Sequence, residues 1–569
     1  MEIDKLIAAA RGDEPADLLL KNARLVNVFS GEVHAADVAL ADGRVLGWGD
    51  YAARHTVDLE GRFLCPGLID AHVHLESSMV RPAEFARAVV PHGTTAVVCD
   101  PHEIANVLGL DGVRYILEAS EGLPLRVFVM APSCVPATHM ETAGAELTAA
   151  DIETLWGYER VIGLAEMMNF PGVLFRVPTV LEKLRIAGQR PIDGHAPGLV
   201  GLDLNAYAAA GVRSDHESTE LDEAREKLRR GMHVMIREGT TARNLAALLP
   251  LVTAANARYC HFCTDDRHPD TLLSEGHIDD VVRKAIAGGL DPVTAIQMAT
   301  INTAEYFGLR HLGAVAPGYR ADLLVLDDLE AIQVAQVYAA GQMVAEGGRF
   351  LPALGDLPRV PIQRSMNLDP AAVDFSIPAG RGEARVIGVI PEQVVTRDMR
   401  LVPTIEGGYV VSDPARDLLK MAVVERHRGT GNVGLGLVQG LGLRRGAIAS
   451  SVAHDSHNVV LVGASDDDMR AALAAVAEMG GGQVVVEDGE VRAACPLPIA
   501  GLMSDRPLAE VRDQVEALTY AAHALGCGLP DPLMTLSFLA LPVIPVLKLT
   551  DKGLVDVNKF DFVPLFEED

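Results

Sequence analysis

Residues 62–74 read RFLCPGLIDAHVH, an apolar run that ends in two histidines, His72 and His74. Residues two apart on a strand point to one face, so at a strand end both imidazoles can reach one cation. An HxH alone is a weak signal, because ordinary strand-end histidines read the same way. It gains weight outward, where the same grammar repeats. Apolar runs end in TTAVVCDPHE (94–103), LRVFVMAPS (125–133), RVIGLAEMMN (160–169), RPIDGHAP (190–197), VRSDHES (212–218), HVMIREG (233–239) and RYCHFCTDD (258–266). With the first run these make eight candidate strands at helix-length spacing, most of them ending in His, Asp or Glu. The pattern predicts an α/β chain with a (β/α)8 TIM-type barrel over Pro66 to Leu312. The carboxyl ends of barrel strands share one face, so Glu166, His195, His216 and Asp265 are expected to join the two histidines there.

The flanks read differently. Leu18 to Leu59 alternates short apolar runs with turn signals, and Asp42-Gly43 sits where a two-residue hairpin turn belongs. A similar flavour returns at Gly313 to Phe350, so a small β-sandwich built from N-terminal and post-barrel segments is expected, with the barrel as an insertion. Pro352 to Arg385 lacks periodicity and is rich in Pro, as a linker is. Beyond it, strands such as NVVLVG and a helix over Asp466 to Met479 predict a C-terminal α+β domain. The expected division is 1–65 with 313–365, 66–312, and 366–569.

Composition excludes several functions. The 49 Lys and Arg against 77 Asp and Glu give a formal charge of −28, which repels phosphate backbones and anionic lipid, so neither nucleic acid nor a membrane is an expected partner. The opening residues carry acids early, so no secretory signal is expected. Pro532 to Leu547 is short for a bilayer span and holds Pro542 and Pro545; it reads as buried core. Seven thinly spread cysteines fit reduced thiols in a cytoplasm better than a disulfide frame.

The ordered stations resemble the amidohydrolase superfamily, in which strand 1 supplies HxH, strand 4 a bridging Lys or Glu, strands 5 and 6 a His each, and strand 8 an Asp. More narrowly, PGLIDAHVHLESSM (66–79), CDPHEIANVLG (99–109), GLAEMMN (163–169), DGHAPG (193–198), SDHES (214–218), TDDRHP (264–269) and SVAHDSHN (451–458) resemble the bacterial adenine deaminase family along the whole length. The resemblance implies that His72 and His74 hold one metal, His195 and His216 the other, with Glu166 bridging and Asp265 completing the first site. It implies two divalent ions, and an oxygen-rich, cysteine-free donor set suits Mn²⁺ or Fe²⁺ as well as Zn²⁺. It implies hydrolytic deamination of adenine at C6 to hypoxanthine and ammonia by a metal-activated hydroxide, whose proton Asp265 takes. Adenine is then the small-molecule substrate, and a homo-oligomer is expected.

Deamination also needs an acid for the ring nitrogen and the departing amine. Other superfamily deaminases take it from an HxxE at strand 5, but here His195 is followed by Ala196, Pro197 and Gly198. Asp100-Pro-His102-Glu103 offers a replacement: Glu103 as acid/base, with Asp100 and His102 supporting it or binding a further ion. The plainer reading of that tetrad is a turn with a solvated Glu. Glu76 and Ser77 are weaker candidates for contacts to substrate or ligands.

Look-alikes fall away. His102-Glu103-Ile104-Ala105-Asn106 lacks the second histidine of HExxH. Cys260-His-Phe-Cys263 lacks the preceding Pro of the zinc cytidine deaminases and reads as strand packing. The glycines of 429–442 carry no GxxxxGK[ST]. For His454, Asp455 and His457 two readings stay open, closure over the barrel mouth and a surface loop. The rival functions are a dihydroorotase-like or imidazolonepropionase-like hydrolase of a cyclic amide or aminated heterocycle, and a non-enzymatic scaffold.

Overall fold

The computed structural model describes residues 3–354, 360–391 and 393–566. All eight expected barrel strands form: Leu68–Val73, Thr94–Cys99, Arg126–Ala131, Val161–Met167, Ile192–Gly194, Ser214–Asp215, His233–Arg237 and Cys260–Cys263. The first five pair in parallel in chain order and the last three do likewise. Arg213 N–H donates to Ile192 O across the join, and a parallel bridge between Val73 and Asp265 closes the ring. Thr94–Cys99 is buried along its whole length, as a strand covered on both faces must be, which explains its unbroken apolar run. The seam between strands one and eight carries a polar lock. Asp70 accepts from Thr264 N–H at 3.1 Å and from its hydroxyl at 2.5 Å, with His277 at 3.2 Å.

A nine-stranded sheet combines both flanks of the barrel. Phe63–Pro66, which leads into the first barrel strand, pairs antiparallel with Leu323–Asp328, Pro66 opposite Leu323. The hairpin between Glu32–Ala41 and Arg44–Trp48 turns on Asp42 and Gly43, both at positive φ. That is the tight turn expected of Asp-Gly.

The C-terminal part holds an eight-stranded sheet whose central strands Leu418–Val424 and Val459–Gly463 are fully buried. Helix Asp466–Glu478 starts where Ser465 accepts from Asp468 N–H, with three acids in its first turn. Its Met469, Ala472, Leu473 and Val476 bury one stripe against that sheet. The expected linker is more than a linker. Met366 and Phe375 are buried in this core, because lone apolar residues among prolines pack without any periodicity to announce them. Residues 355–359 of that stretch lie outside the described residues. All seven cysteines are free and buried, Cys260 and Cys263 included. Among the described residues no helix is long and apolar enough to cross a membrane.

The C-terminal part sits on the barrel's loops. Thr550 donates its hydroxyl to Met140 O at 2.7 Å, Asn458 its amide to Thr142 O at 2.9 Å, and Ser504 its N–H to Met79 O at 2.7 Å. The loop 451–458, between Ala447–Ser450 and Val459–Gly463, is thereby brought to the carboxyl ends of the barrel strands.

Candidate metal centre

One carboxylate organises the barrel mouth. Glu166, at the end of the fourth strand, presents its two oxygens to different imidazoles. Oε1 lies 3.2 Å from Nε2 of His74 and 3.7 Å from Nε2 of His72. Oε2 lies 2.6 Å from Nδ1 of His195 and 3.3 Å from Nε2 of His216. Asp265 Oδ1 faces the first pair, 3.1 Å from His74 and 3.4 Å from His72. Backbone bonding fixes that meeting. Asp265 N–H donates to His72 O and its own carbonyl accepts from His74 N–H, both at 3.0 Å, so the residue after the eighth strand is laced between the two histidines. Asp265 adopts a φ of 59° to do so, a region Asp tolerates better than most side chains.

The second pair is held by a buried staple. Lys227, with no exposure, donates at 2.8 Å to both Ala196 O and Asp215 Oδ2, and at 2.7 Å to Glu223. Asp215 Oδ1 in turn accepts from Ala196 N–H at 3.0 Å. The residue after His195 and the residue before His216 are thus tied across strands five and six. Arg237 closes the side nearest strand seven, donating to Asp265 Oδ2 at 2.7 Å and gripping Glu217, which lies 3.4 Å from His216. Burial pushes the Asp265 carboxyl up, but Arg237 and then the two histidines outweigh it and hold it well below the usual range. The rings of His72 and His74 are no more than 5% exposed; His195, at 19%, and Glu217, at 14%, form the open side.

Does this donor set fit a cation? His74 answers it. Its Nδ1 lies 3.0 Å from the Asp100 carbonyl oxygen, which can only accept, so Nδ1 carries the ring proton. In the neutral ring Nε2 is then a lone pair, and it faces two carboxylate oxygens. Only a second proton or a cation relieves that contact, and the carboxylates that attract the proton attract the cation too. His72 Nε2 adds to the crowding at 3.2 Å from His74 Nε2. Buried carboxylates without counter-charge are costly, and divalent cations held here would remove the conflict. His72 Nδ1 and His216 Nδ1 are buried without a protein partner, so the far edge of each ring is unsatisfied by the chain itself.

The second-strand tetrad lies alongside. His102 spans it, with Nδ1 3.2 Å from Asp100 Oδ2 and 3.5 Å from Glu166 Oε1, and Nε2 3.4 Å from Glu103 Oε1. Glu103 is not solvated: it is 3% exposed and touches His454 and His457. Of the two readings for the 451–458 segment, closure over the mouth holds, since His454, Asp455 and His457 are all buried. Glu76 accepts from Ile104 N–H at 3.0 Å, and burial raises its carboxyl to about 7. Ser77 donates its hydroxyl to Asp266.

Sequence reasoning missed Glu217, Arg237, Asp215 and Lys227. Glu217 and Asp215 lay inside the quoted SDHES and Arg237 inside HVMIREG, each overshadowed by a histidine or left as a strand residue. Lys227 sits on a helix face with no signal that its ammonium turns inward.

Comparison with known proteins places residues 63–344 in the amidohydrolase family model and residues 393–561 in that of the adenine deaminase C-terminal domain. The chain is 58% identical to an adenine deaminase of Desulfatibacillum aliphaticivorans over 99% of this chain and 100% of that protein. It is 53% identical to an adenine deaminase of Methanothrix thermoacetophila, covering 100% of both.

Proposed function

The chain belongs to the adenine deaminase family, and from that premise we propose that it hydrolyses adenine to hypoxanthine and ammonia. The observation that carries this reading is Glu166, whose two oxygens each face a histidine pair at 2.6–3.7 Å. Relatives that match from end to end weigh against the cyclic-amide alternative, and the intact ligand stations weigh against an inert scaffold.

In this reading His72, His74 and Asp265 would hold one divalent ion and His195 and His216 the other, with Glu166 serving both. Bound there, the ions supply Lewis acidity that lowers the pKa of water and favours attack at C6. Mn²⁺ or Fe²⁺ is the expected pair, with Zn²⁺ as the alternative, because mixed imidazole and carboxylate donors without cysteine accept all three. His102, with Asp100, supports Glu166 from the second strand.

The chain's own residues manage protons. Water brings two, and both end on substrate nitrogen: one on ring N1, one on the amino group that leaves as ammonia. Asp265 accepts the first, since Arg237 keeps it ionised and ready. Glu103 handles the second. Burial opposes its charge, but His454 and then His457 hold its carboxyl well below the usual range, so it enters as an acceptor and donates only after it has been protonated. Adenine approaches from the open side at His195 and Glu217. The three-part division of the chain at 1–65 with 313–365, 66–312 and 366–569 belongs to the same reading, and the meeting of Glu103 with the last part supports a catalytic reason for it.

The test is a substrate screen on Mn²⁺-loaded protein with metal analysis on the same preparation. Ammonia and hypoxanthine from adenine are expected, with two metal equivalents per chain; opening of a cyclic amide without adenine turnover would sink the assignment.

A further inference from the structure

We propose that the C-terminal part completes the catalytic apparatus: His457 is a fixed hydrogen-bond donor that positions Glu103, and His454 is the group with which Glu103 exchanges a proton during turnover. The inference rests on the deaminase reading and deepens it.

The argument begins with the protons on the two rings. His457 Nδ1 accepts from Ala453 N–H at 3.1 Å, and a backbone amide can only donate, so Nδ1 carries no proton. The neutral ring's proton is therefore on Nε2, which donates to Glu103 Oε2. A second proton on Nδ1 would point at the Ala453 N–H, so this ring is confined to one tautomer and cannot act as a carrier. His454 has no such constraint. Its Nδ1 lies 2.7 Å from Glu103 Oε1, and its ring stacks on Phe538 with centroids 4.8 Å apart. Titration agrees with the assignment. Burial lowers His457 to about 4, whereas on His454 the neighbouring Glu103 overcomes burial and raises it to about 9.

The loop that carries the two histidines is aimed. Arg426, fully buried, bonds His457 O from Nε, Ser365 Oγ at 3.0 Å and Ala500 O at 2.9 Å. A Cβ on Gly501 would come within 3 Å of that guanidinium, so the residue is held to glycine by contact as well as by its φ of 73°. Asn458 ties the loop's other end to Thr142 of the barrel. On the far side of Glu103, His102 continues the chain of contacts to Glu166. The step itself moves one proton between Glu103 Oε1 and His454 Nδ1, with no other bond made or broken, and Glu103 returns each proton within the cycle.

The same three side chains stand close enough to hold an ion together. The proton on His457 Nε2 argues for the hydrogen-bonded form, since a ligand nitrogen must present a lone pair.

The experiment replaces each histidine by the amide that keeps its nitrogen in place, in the full-length, Mn²⁺-loaded enzyme. His457→Gln puts an amide nitrogen where Nε2 was, and is expected to hold kcat within about threefold; His457→Asn puts it at the wrong position and should lose about 100-fold. His454→Asn keeps a donor at Nδ1 but cannot carry a proton, so it should lose about 100-fold, as should His454→Ala, with KM changed little. Thermal unfolding and two metal equivalents should be retained by the amide variants. Equal rates for His457→Gln and His457→Asn would overturn the donor role, and a His454→Asn enzyme at wild-type rate would overturn proton exchange. Three metal equivalents in the wild type, falling to two in the variants, would make these residues ligands and overturn both. A wild-type enzyme inactive on adenine is the separate failure of the parent reading, and the inference falls with it.

Discussion

Two buried carboxylates in this molecule, Glu166 and Glu103, are each gripped by histidines, and in the reading proposed above the contrast between them separates a metal centre from a proton relay. Around Glu166 the tautomer set by Asp100 O leaves His74 with a lone pair against carboxylate oxygen, a contact that asks for a cation. Around Glu103 the tautomer set by Ala453 N–H gives His457 a proton against carboxylate oxygen, a contact already satisfied. One backbone atom behind each ring decides which chemistry the front can do. Proximity of His and Glu alone would have scored the two clusters alike.

The largest effect is expected where that contrast is broken outright. Glu166→Gln should release metal and lower turnover by about three orders of magnitude or more, given several kcal/mol of metal-ion stabilisation at about 1.4 kcal/mol per decade. Metal analysis and ammonia release measure both. Glu103→Gln should sharpen the comparison, keeping two metals while turnover drops by about 10²–10⁴-fold, the usual span for a general acid–base group. Normal turnover would remove Glu103 from the mechanism.

Lys227→Met tests the staple behind the second histidine pair. It leaves Asp215 buried without its cation, which costs about 3–5 kcal/mol. A lower melting temperature is expected, and weaker binding of one of the two metals by about 10–100-fold. The pH dependence follows from the same pair. Burial raises Asp215, but Lys227 outweighs it and the folded pKa lies below the ordinary value. Its stabilisation is therefore complete above about pH 4 and lost as pH falls through the folded value. The melting-temperature deficit of Lys227→Met should therefore be full above about pH 4 and shrink as pH falls below it. The smallest effect belongs far from both carboxylates. Gly43→Ala, at φ 73° and with its new Cβ 3.2 Å from Ala340, should cost about 1–2 kcal/mol in denaturant titration and leave kcat unchanged.

The barrel and its cluster of candidate ligands were legible because each station stands at the end of its own apolar run, and strand and polar terminus announce each other. His72, His74, Glu166, His195, His216 and Asp265 all meet as that grammar requires. Glu103 was legible as a candidate but not as a relay, since nothing local links residue 103 to 454 and 457. Lys227 and Arg237 were silent for a related reason: a long cationic side chain reads the same whether it snorkels to water or turns inward. The Asp70 seam lock was equally unannounced, because Thr264 lies 194 residues further along the chain and His277 further still.

The pairing of Phe63–Pro66 with Leu323–Asp328 has a consequence for biosynthesis. The strands before Leu68 leave the ribosome while the other half of their sheet is not yet translated, and Pro66 must wait for Leu323. Until then the sheet presents a bare edge, the kind of surface that invites wrong partners. The barrel is looped out between the two halves of the sheet, so the N-terminal strands are shielded only once it has been made, and a truncated product should expose them to aggregation.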